Sequence, residues 1–159
     1  MKLLIVGIPG TGKTTIGNYL RDKRSFVHID MESENNIPEA FENPENFVKR
    51  LEDISGDLVV TWGFVPIELF IDLINKLKDI GYKVVWFDGS REFSKKAFIE
   101  RNSQHGEEFL SKSMDDLHVQ MARINETDVI KKINPIIVDT FDSKGVFRSY
   151  EDIIKDVLN

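Results

Sequence analysis

The chain contains no cysteine, so a disulfide framework, a thiol nucleophile and a thiolate metal ligand are all excluded. That composition fits a reducing compartment, and the expected location is cytoplasmic. Histidine is scarce. His28, His105 and His118 show no metal-ligand spacing and read as surface or packing residues. No apolar run approaches the length needed to cross a bilayer. The opening run Leu3–Val6 is interrupted by Gly7 and Pro9, which makes it too short for the core of a secretory signal, so no membrane partner is expected. Positive charge is in deficit: 21 Lys and Arg against 27 Asp and Glu leave a net charge of −6. This argues against non-specific binding to nucleic acid or anionic lipid. No repeat, low-complexity tract or linker divides the sequence. Residues 1–159 are read as one domain, long enough to bury a core of its own.

What the chain does have is concentrated near its start. Gly7-Ile8-Pro9-Gly10-Thr11-Gly12-Lys13-Thr14 fits the G-x-x-x-x-G-K-[ST] pattern of a phosphate-binding loop (Walker A, or P-loop). The apolar run Leu3–Val6 leads into it as a buried parallel strand would, and Ile16, Tyr19 and Leu20 leave it at helical spacing. In that context the glycines let successive N–H groups turn inward, and the helix N-terminus adds partial positive charge. The expected nucleotide-binding residues are Gly10, Thr11, Gly12, Lys13, Thr14 and Thr15. Lys13 neutralises the β- and γ-phosphates, and the Thr14 hydroxyl takes a magnesium position.

Strand-like and helix-like segments alternate along the chain. Strands are predicted at 2–6, 26–29, 58–61, 83–87 and 136–138, mostly as continuous apolar runs buried on both faces. Asn43-Pro44 reads as a helix cap followed by proline in the first turn, and Pro66 opens a helix that Gly81 closes. Ser113-x-x-Asp116 and Ser149-x-x-Asp152 both read as capping boxes. The alternation implies an α/β fold with a parallel sheet flanked by helices on both faces, and ligands then bind beyond the carboxyl ends of the strands.

Candidate residues lie at those ends. Asp30 and Glu32 follow the second strand; one of the two is suited to organising magnesium, the other to accepting a proton from an attacking hydroxyl. Trp62 and Phe64, at the end of the third, are placed to wall an acceptor pocket within a region that also includes residues 30–50. Asp88 follows the fourth strand, as a second magnesium organiser or as a turn residue before Gly89. Arg91, Lys95 and Lys96 read as the solvated face of the next helix. Arg101 ends that helix and leads into a polar, glycine-containing stretch, 102–112, expected to be a lid over phosphates. Arg123, on the following helix, is a second candidate for clamping the transferring group.

Taken together, these residues resemble the small-molecule kinases of the nucleoside-monophosphate-kinase superfamily: adenylate kinase, shikimate kinase and gluconate kinase. Gly7 to Thr14 matches the group's nucleotide loop, and Asp30 falls where shikimate-kinase-like enzymes carry acidic residues. Asp88-Gly89-Ser90 with Arg101, and Leu117-x-x-Gln120, resemble the turn and lid of gluconate kinase. Residues 139–145 fall where these enzymes hold adenine with backbone groups. The resemblance implies a three-layer P-loop fold with a five-stranded parallel sheet in the order 2-3-1-4-5. It also implies transfer of the γ-phosphoryl of ATP, with Mg2+, to a hydroxyl or phosphate of a small-molecule acceptor. Lys13, Asp30 and Arg101 would act in catalysis, Thr14 and Asp30 at the metal, and Arg123 on the nucleotide. A nucleoside or nucleotide kinase, including one acting on a polynucleotide end, is a near variant. A nucleotide-binding switch or regulatory ATPase is the alternative from another class. No feature bears on oligomeric state.

Overall fold

The computed structural model describes residues 1–33, 36–63, 68–126 and 128–159, and within these the side chains of all but 108, 110, 116, 120–126 and 129. Strand β1 is Lys2–Gly7, β2 Val27–Asp30, β3 Leu58–Gly63, β4 Lys83–Asp88 and β5 Ile136–Asp139. All pair in parallel, in the order β2-β3-β1-β4-β5, which is the order the resemblance implies. The register aligns the strand ends that matter: Gly7 lies beside Gly63 and Phe87, Asp30 beside Thr61, and Asp88 beside Asp139.

The apolar runs divide between two cores because successive side chains in a strand point to opposite faces. Leu4 and Val6 join Val60, Trp62, Val84 and Trp86 on one face. There they pack against helix α3 (Pro44–Asp53), through Phe47 and Leu51, and helix α4 (Glu68–Asp79), through Phe70, Ile74 and Leu77. Leu3 and Ile5 join Val59, Val85, Phe87 and Val138 on the other. Their cover is helix α1 (Lys13–Arg24), through Ile16 and Leu20, and helix α8 (Tyr150–Leu158), through Ile153, Ile154 and Val157. Each fully buried Leu or Ile contributes about 1.5–3 kcal/mol of apolar transfer energy, which makes this sheet a rigid platform. Burial on both faces holds for β1, β3 and β4. The edge strands β2 and β5 depart from the expectation, with Val27, Ile136 and Ile137 exposed, because each has a neighbour on one side only.

The helix signals fare unevenly. Asn43 accepts a hydrogen bond from the Asn46 amide and Ser149 from the Asp152 amide, as caps should. Gly81, with φ 91°, closes α4: its N–H donates to Lys78 and that of Tyr82 to Leu77, a Schellman-type end. Pro66 and Phe64 lie outside the described residues. After α5 (Arg91–Asn102) come a 3-10 turn (Ser103–His105) and then α6, which runs from Glu107 to Glu126. Ser113 is therefore mid-helix, and the predicted loop at 102–112 is mostly helical. Gly106, with φ 95°, supplies the break, and Glu107 opens the helix with an acidic residue that suits a helix N-terminus. Two short helices were not anticipated from sequence, α2 (Asn36–Glu42) and α7 (Val129–Ile133). Among the described residues no helix is long and apolar enough to cross a membrane.

Candidate active site

The loop between β1 and α1 is clamped from two sides. Gly10 and Gly12 have φ of 82° and 79°, in the left-handed region that favours glycine. A β-carbon on Gly10 would strike the Ser94 carbonyl of α5, and one on Gly12 would come within 2.5 Å of the Phe147 ring. The loop closes on itself through Thr11, whose hydroxyl donates to the Ile8 carbonyl at 2.8 Å. Lys13 Nζ donates to that same carbonyl, also at 2.8 Å. Its side chain is buried, and loss of solvation pulls the ammonium down to about 8; Glu32 and Asp30 oppose the shift and Arg101 adds to it. One carbonyl satisfies only one of an ammonium's three donors, which leaves Lys13 pre-placed for anionic oxygens.

The two candidate aspartates have different surroundings. Thr14 Oγ1 donates to Asp30 Oδ2 at 2.9 Å, so the carboxylate after β2 meets the hydroxyl at the start of α1. The same turn is pinned by the Glu32 amide donating to Asp30 Oδ1, and by Ser33 and Asn36 donating to the Asp30 carbonyl. Asp88 instead accepts from Arg91 Nη1 at 2.7 Å, and its carbonyl accepts from the Thr140 amide and hydroxyl. Those contacts tie β4 to α5 and to the chain after β5. Among the described residues no group of three His, Cys, Asp or Glu side chains could hold a metal. One hydroxyl and one carboxylate nevertheless suit Mg2+, which keeps several waters and takes further oxygens from phosphates.

Two cavities open on either side of the loop, and Gly10, Gly12, Thr15 and Arg101 line both. The first, about 430 Å3, also has Lys13, Thr14 and Glu32 in its wall, with Ile37, Phe41, Trp62, Phe70, Phe98 and Leu117. Its aromatic side is packed: the Trp62 and Phe70 ring centroids are 3.8 Å apart, and those of Phe41 and Trp62 5.8 Å. The second, about 560 Å3, is walled by Phe93, Phe141, Phe147 and Tyr150, with Lys96 and Lys144 at its edge. Phe141 meets Phe147 edge-on at 5.5 Å. Arg101, in the last turn of α5, stacks on Phe98 with its guanidinium carbon 5.4 Å from the ring centroid.

The structure thus brings Gly10, Gly12, Lys13, Thr14, Thr15, Asp30, Glu32, Trp62 and Arg101 together. Thr11 is near, but its side chain is buried and used within the loop. Asp88 and Arg91 pair with each other, and Lys96 borders the second cavity rather than standing on a wholly solvated face. The side chain of Arg123 lies outside the described residues. His28 is half-buried between Asn18 and Thr61, hydrogen-bonded to both, a packing residue as its spacing suggested. Sequence reasoning missed Phe41 on α2, Phe70 on α4, and Phe147 and Tyr150 near α8. Phe70 carried only an ordinary helix-stripe signal. Phe147 reaches the loop through the antiparallel bridge Phe141–Phe147, which no local pattern announces.

No family model matches the chain. A shikimate kinase of Clostridium beijerinckii is 37% identical over 60 residues, which are 34% of this chain and 36% of that one. A protein of Methanocaldococcus jannaschii named "Putative adenylate kinase" is 33% identical over 89 residues, 56% of this chain and 43% of that one. The chain therefore spans less than half the length of the curated relatives it matches. Among solved structures, a gluconokinase from Sinorhizobium meliloti superposes with a TM-score of 0.58 at 18% identity, covering 99% of this chain and 89% of that one. The fold is that of the P-loop small-molecule kinases, and the sequence matches point to the same group.

Proposed function

We propose that this P-loop kinase-like chain is an ATP-dependent phosphotransferase that moves the γ-phosphoryl group to a hydroxyl or phosphate of a small molecule. The observation that carries the reading is the pair of cavities that share Gly10, Gly12, Thr15 and Arg101, with Lys13 in the wall of the first, since a transfer enzyme needs a donor and an acceptor space sharing one reacting centre. The second cavity suits the nucleotide: its aromatic walls match a purine face, and its floor is the glycine loop. The first cavity suits the acceptor.

In this reading the loop amides and the start of α1 bind the phosphate chain, and Lys13 holds its charge against the β- and γ-oxygens. Thr14 and Asp30 would hold magnesium, which when bound would supply Lewis-acid stabilisation of the developing negative charge. Asp30 also orients the acceptor hydroxyl and takes its proton as the new P–O bond forms. Phosphoryl transfer has a loose transition state, so positioning matters more than basicity there. Arg101, in the wall of both cavities, balances charge on the transferring group. The turn at 102–106 that follows it is where a lid would hinge, with Gly106 free of close neighbours.

The fate of labelled γ-phosphate separates this reading from a switch or regulatory ATPase. Label should appear in an organic product when sugars, nucleosides, nucleoside monophosphates or amino alcohols are supplied, with little inorganic phosphate in their absence. Steady release of inorganic phosphate, unchanged by every acceptor, would show hydrolysis to be the activity.

A further inference from the structure

The walls of the first cavity carry an uneven charge. Three titratable side chains line it among the described residues: Lys13, Arg101 and Glu32. The two cations also belong to the donor side, Lys13 in the phosphate loop and Arg101 in both cavities. Glu32 is the one carboxylate in this wall, close enough to Lys13 to favour its charged form. Its carboxylate Oε1 occupies the space over Gly63 where a side chain would begin, at the end of β3 and next to Trp62. It makes no ion pair among the described residues.

The aromatic side of that wall, with Ile37, Phe41, Trp62, Gly63 and Phe70, comes from two stretches of sequence with no Lys or Arg, while Phe98, Ser113 and Leu117 close it from α5 and α6. Residues 25–48, which supply β2 and α2, contain Asp30, Glu32, Glu34, Glu39, Glu42 and Glu45 but neither Lys nor Arg. Residues 51–75, which supply β3 and most of α4, also lack both. Two cations lie between the stretches: Lys49 is exposed and lines neither cavity, and Arg50 is already engaged, its guanidinium pairing with Glu39 at 2.8 Å, donating to Asn36 at 2.9 Å and lying over the Phe47 ring. An acceptor seated against Ile37, Phe41, Trp62 and Phe70 meets an apolar surface and one carboxylate.

A carboxylate or phosphate held against the aromatic side would face the like charge of Glu32, while Lys13 and Arg101 in the same cavity are taken, in this reading, by the transferring phosphate. A protonated amine would instead gain a charge-assisted hydrogen bond, and its apolar body would cover the aromatic side chains. We propose that the acceptor is a cationic amino alcohol with an apolar or aromatic body: its ammonium pairs with Glu32, its body packs on Trp62 and Phe41, and its hydroxyl points toward Asp30. The amine takes no part in the transfer. The acceptor oxygen forms the new bond to phosphorus, the bond from phosphorus to the β–γ bridging oxygen breaks, ADP leaves, and the hydroxyl proton passes to Asp30. This assignment rests on the phosphotransferase reading, and binding can be measured apart from transfer.

The test uses three compounds of similar size: phenylethanolamine, its N-acetyl derivative, and phenyllactate. Binding of each is measured by calorimetry to the protein loaded with magnesium and a non-hydrolysable ATP analogue, and transfer is then followed with labelled ATP. The amine should bind at least about tenfold more tightly than the N-acetyl compound, as a hydrogen bond between charged groups requires. Phenyllactate, gluconate, shikimate and AMP should bind more weakly still. Glu32→Gln should collapse the ratio of amine to N-acetyl affinity toward one, and Glu32→Lys should invert the preference so that phenyllactate binds best. Either variant should fold normally, since Glu32 is exposed. Binding of an anion as tight as that of the amine, absence of amine binding, or an amine preference untouched in Glu32→Gln would overturn the inference. Amine binding that depends on Glu32, without transfer of label to the amine or to any other acceptor, would overturn the phosphotransferase reading and leave the amine-selective site standing.

Discussion

Lys13→Ala is expected to lower turnover by about 10²–10³-fold, the usual cost of removing one preorganised charge from a developing anion. The fold should survive, because Nζ makes one hydrogen bond to a loop carbonyl and the core packing of α1 comes from Ile16 and Leu20. A second readout tests the same lysine without reference to turnover. In the free protein its ammonium is pulled down to about 8 by burial, so it is protonated below that pH and neutral above it. Bound phosphates favour the charged form. ATP binding should therefore take up a proton near and above pH 8 and little at pH 6.5, and affinity should fall as pH rises through 8. Calorimetry in buffers of different ionisation enthalpy measures that uptake, and Lys13→Ala should abolish it. A variant that keeps more than a tenth of wild-type turnover, with proton uptake unchanged, would mean that Lys13 does not face the phosphates.

The next largest effect is expected at Asp30. Asp30→Asn should reduce turnover by about 10²-fold, in the range for loss of a positioned base, while ATP affinity changes only a few-fold. Asparagine can still accept from Thr14 but loses the charge that attracts magnesium and the basicity that takes a proton. Asp88→Asn is the control. It removes a partly exposed ion pair with Arg91, which contributes no more than about 1 kcal/mol, and it should leave kcat within a few-fold. Kinetics of the two variants over a magnesium titration would check both effects. A crippled Asp88→Asn beside a mild Asp30→Asn would transfer the metal role to the fourth strand.

The distinction between these carboxylates also marks where the sequence stops being readable. Both sit at the end of an apolar strand, and both belong to sequences that suit a magnesium organiser. What separates them is tertiary: Thr14 reaches Asp30 because β2 and α1 flank the same loop, while Arg91 reaches Asp88 because it opens the next helix one turn away. The central strands β1, β3 and β4 were legible because burial on two faces demands continuous apolar runs, which local sequence displays. The phosphate loop was legible because its backbone conformation needs glycine at fixed offsets. The aromatic walls were not. Phe41 and Phe70 meet in the first cavity and Phe147 meets Phe141 in the second only after the chain has folded, so none differs locally from an ordinary core residue. The 102–112 segment misled for another reason. Its polar composition and Gly106 suggest a loop, yet helices tolerate polar residues on a solvated face, and glycine ends one helix as readily as it loosens a turn.

The central claim is a division of labour between two cavities that share the glycine loop and Arg101. A crystal structure with magnesium and a non-hydrolysable ATP analogue tests it most directly. The base should lie among Phe93, Phe141 and Phe147, with the γ-phosphate at Lys13 and Arg101, magnesium beside Thr14 and Asp30, and the cavity of Trp62 and Glu32 left open. A base seated instead against Trp62 and Phe70 would contradict the account, because the space assigned to the acceptor would then belong to the nucleotide.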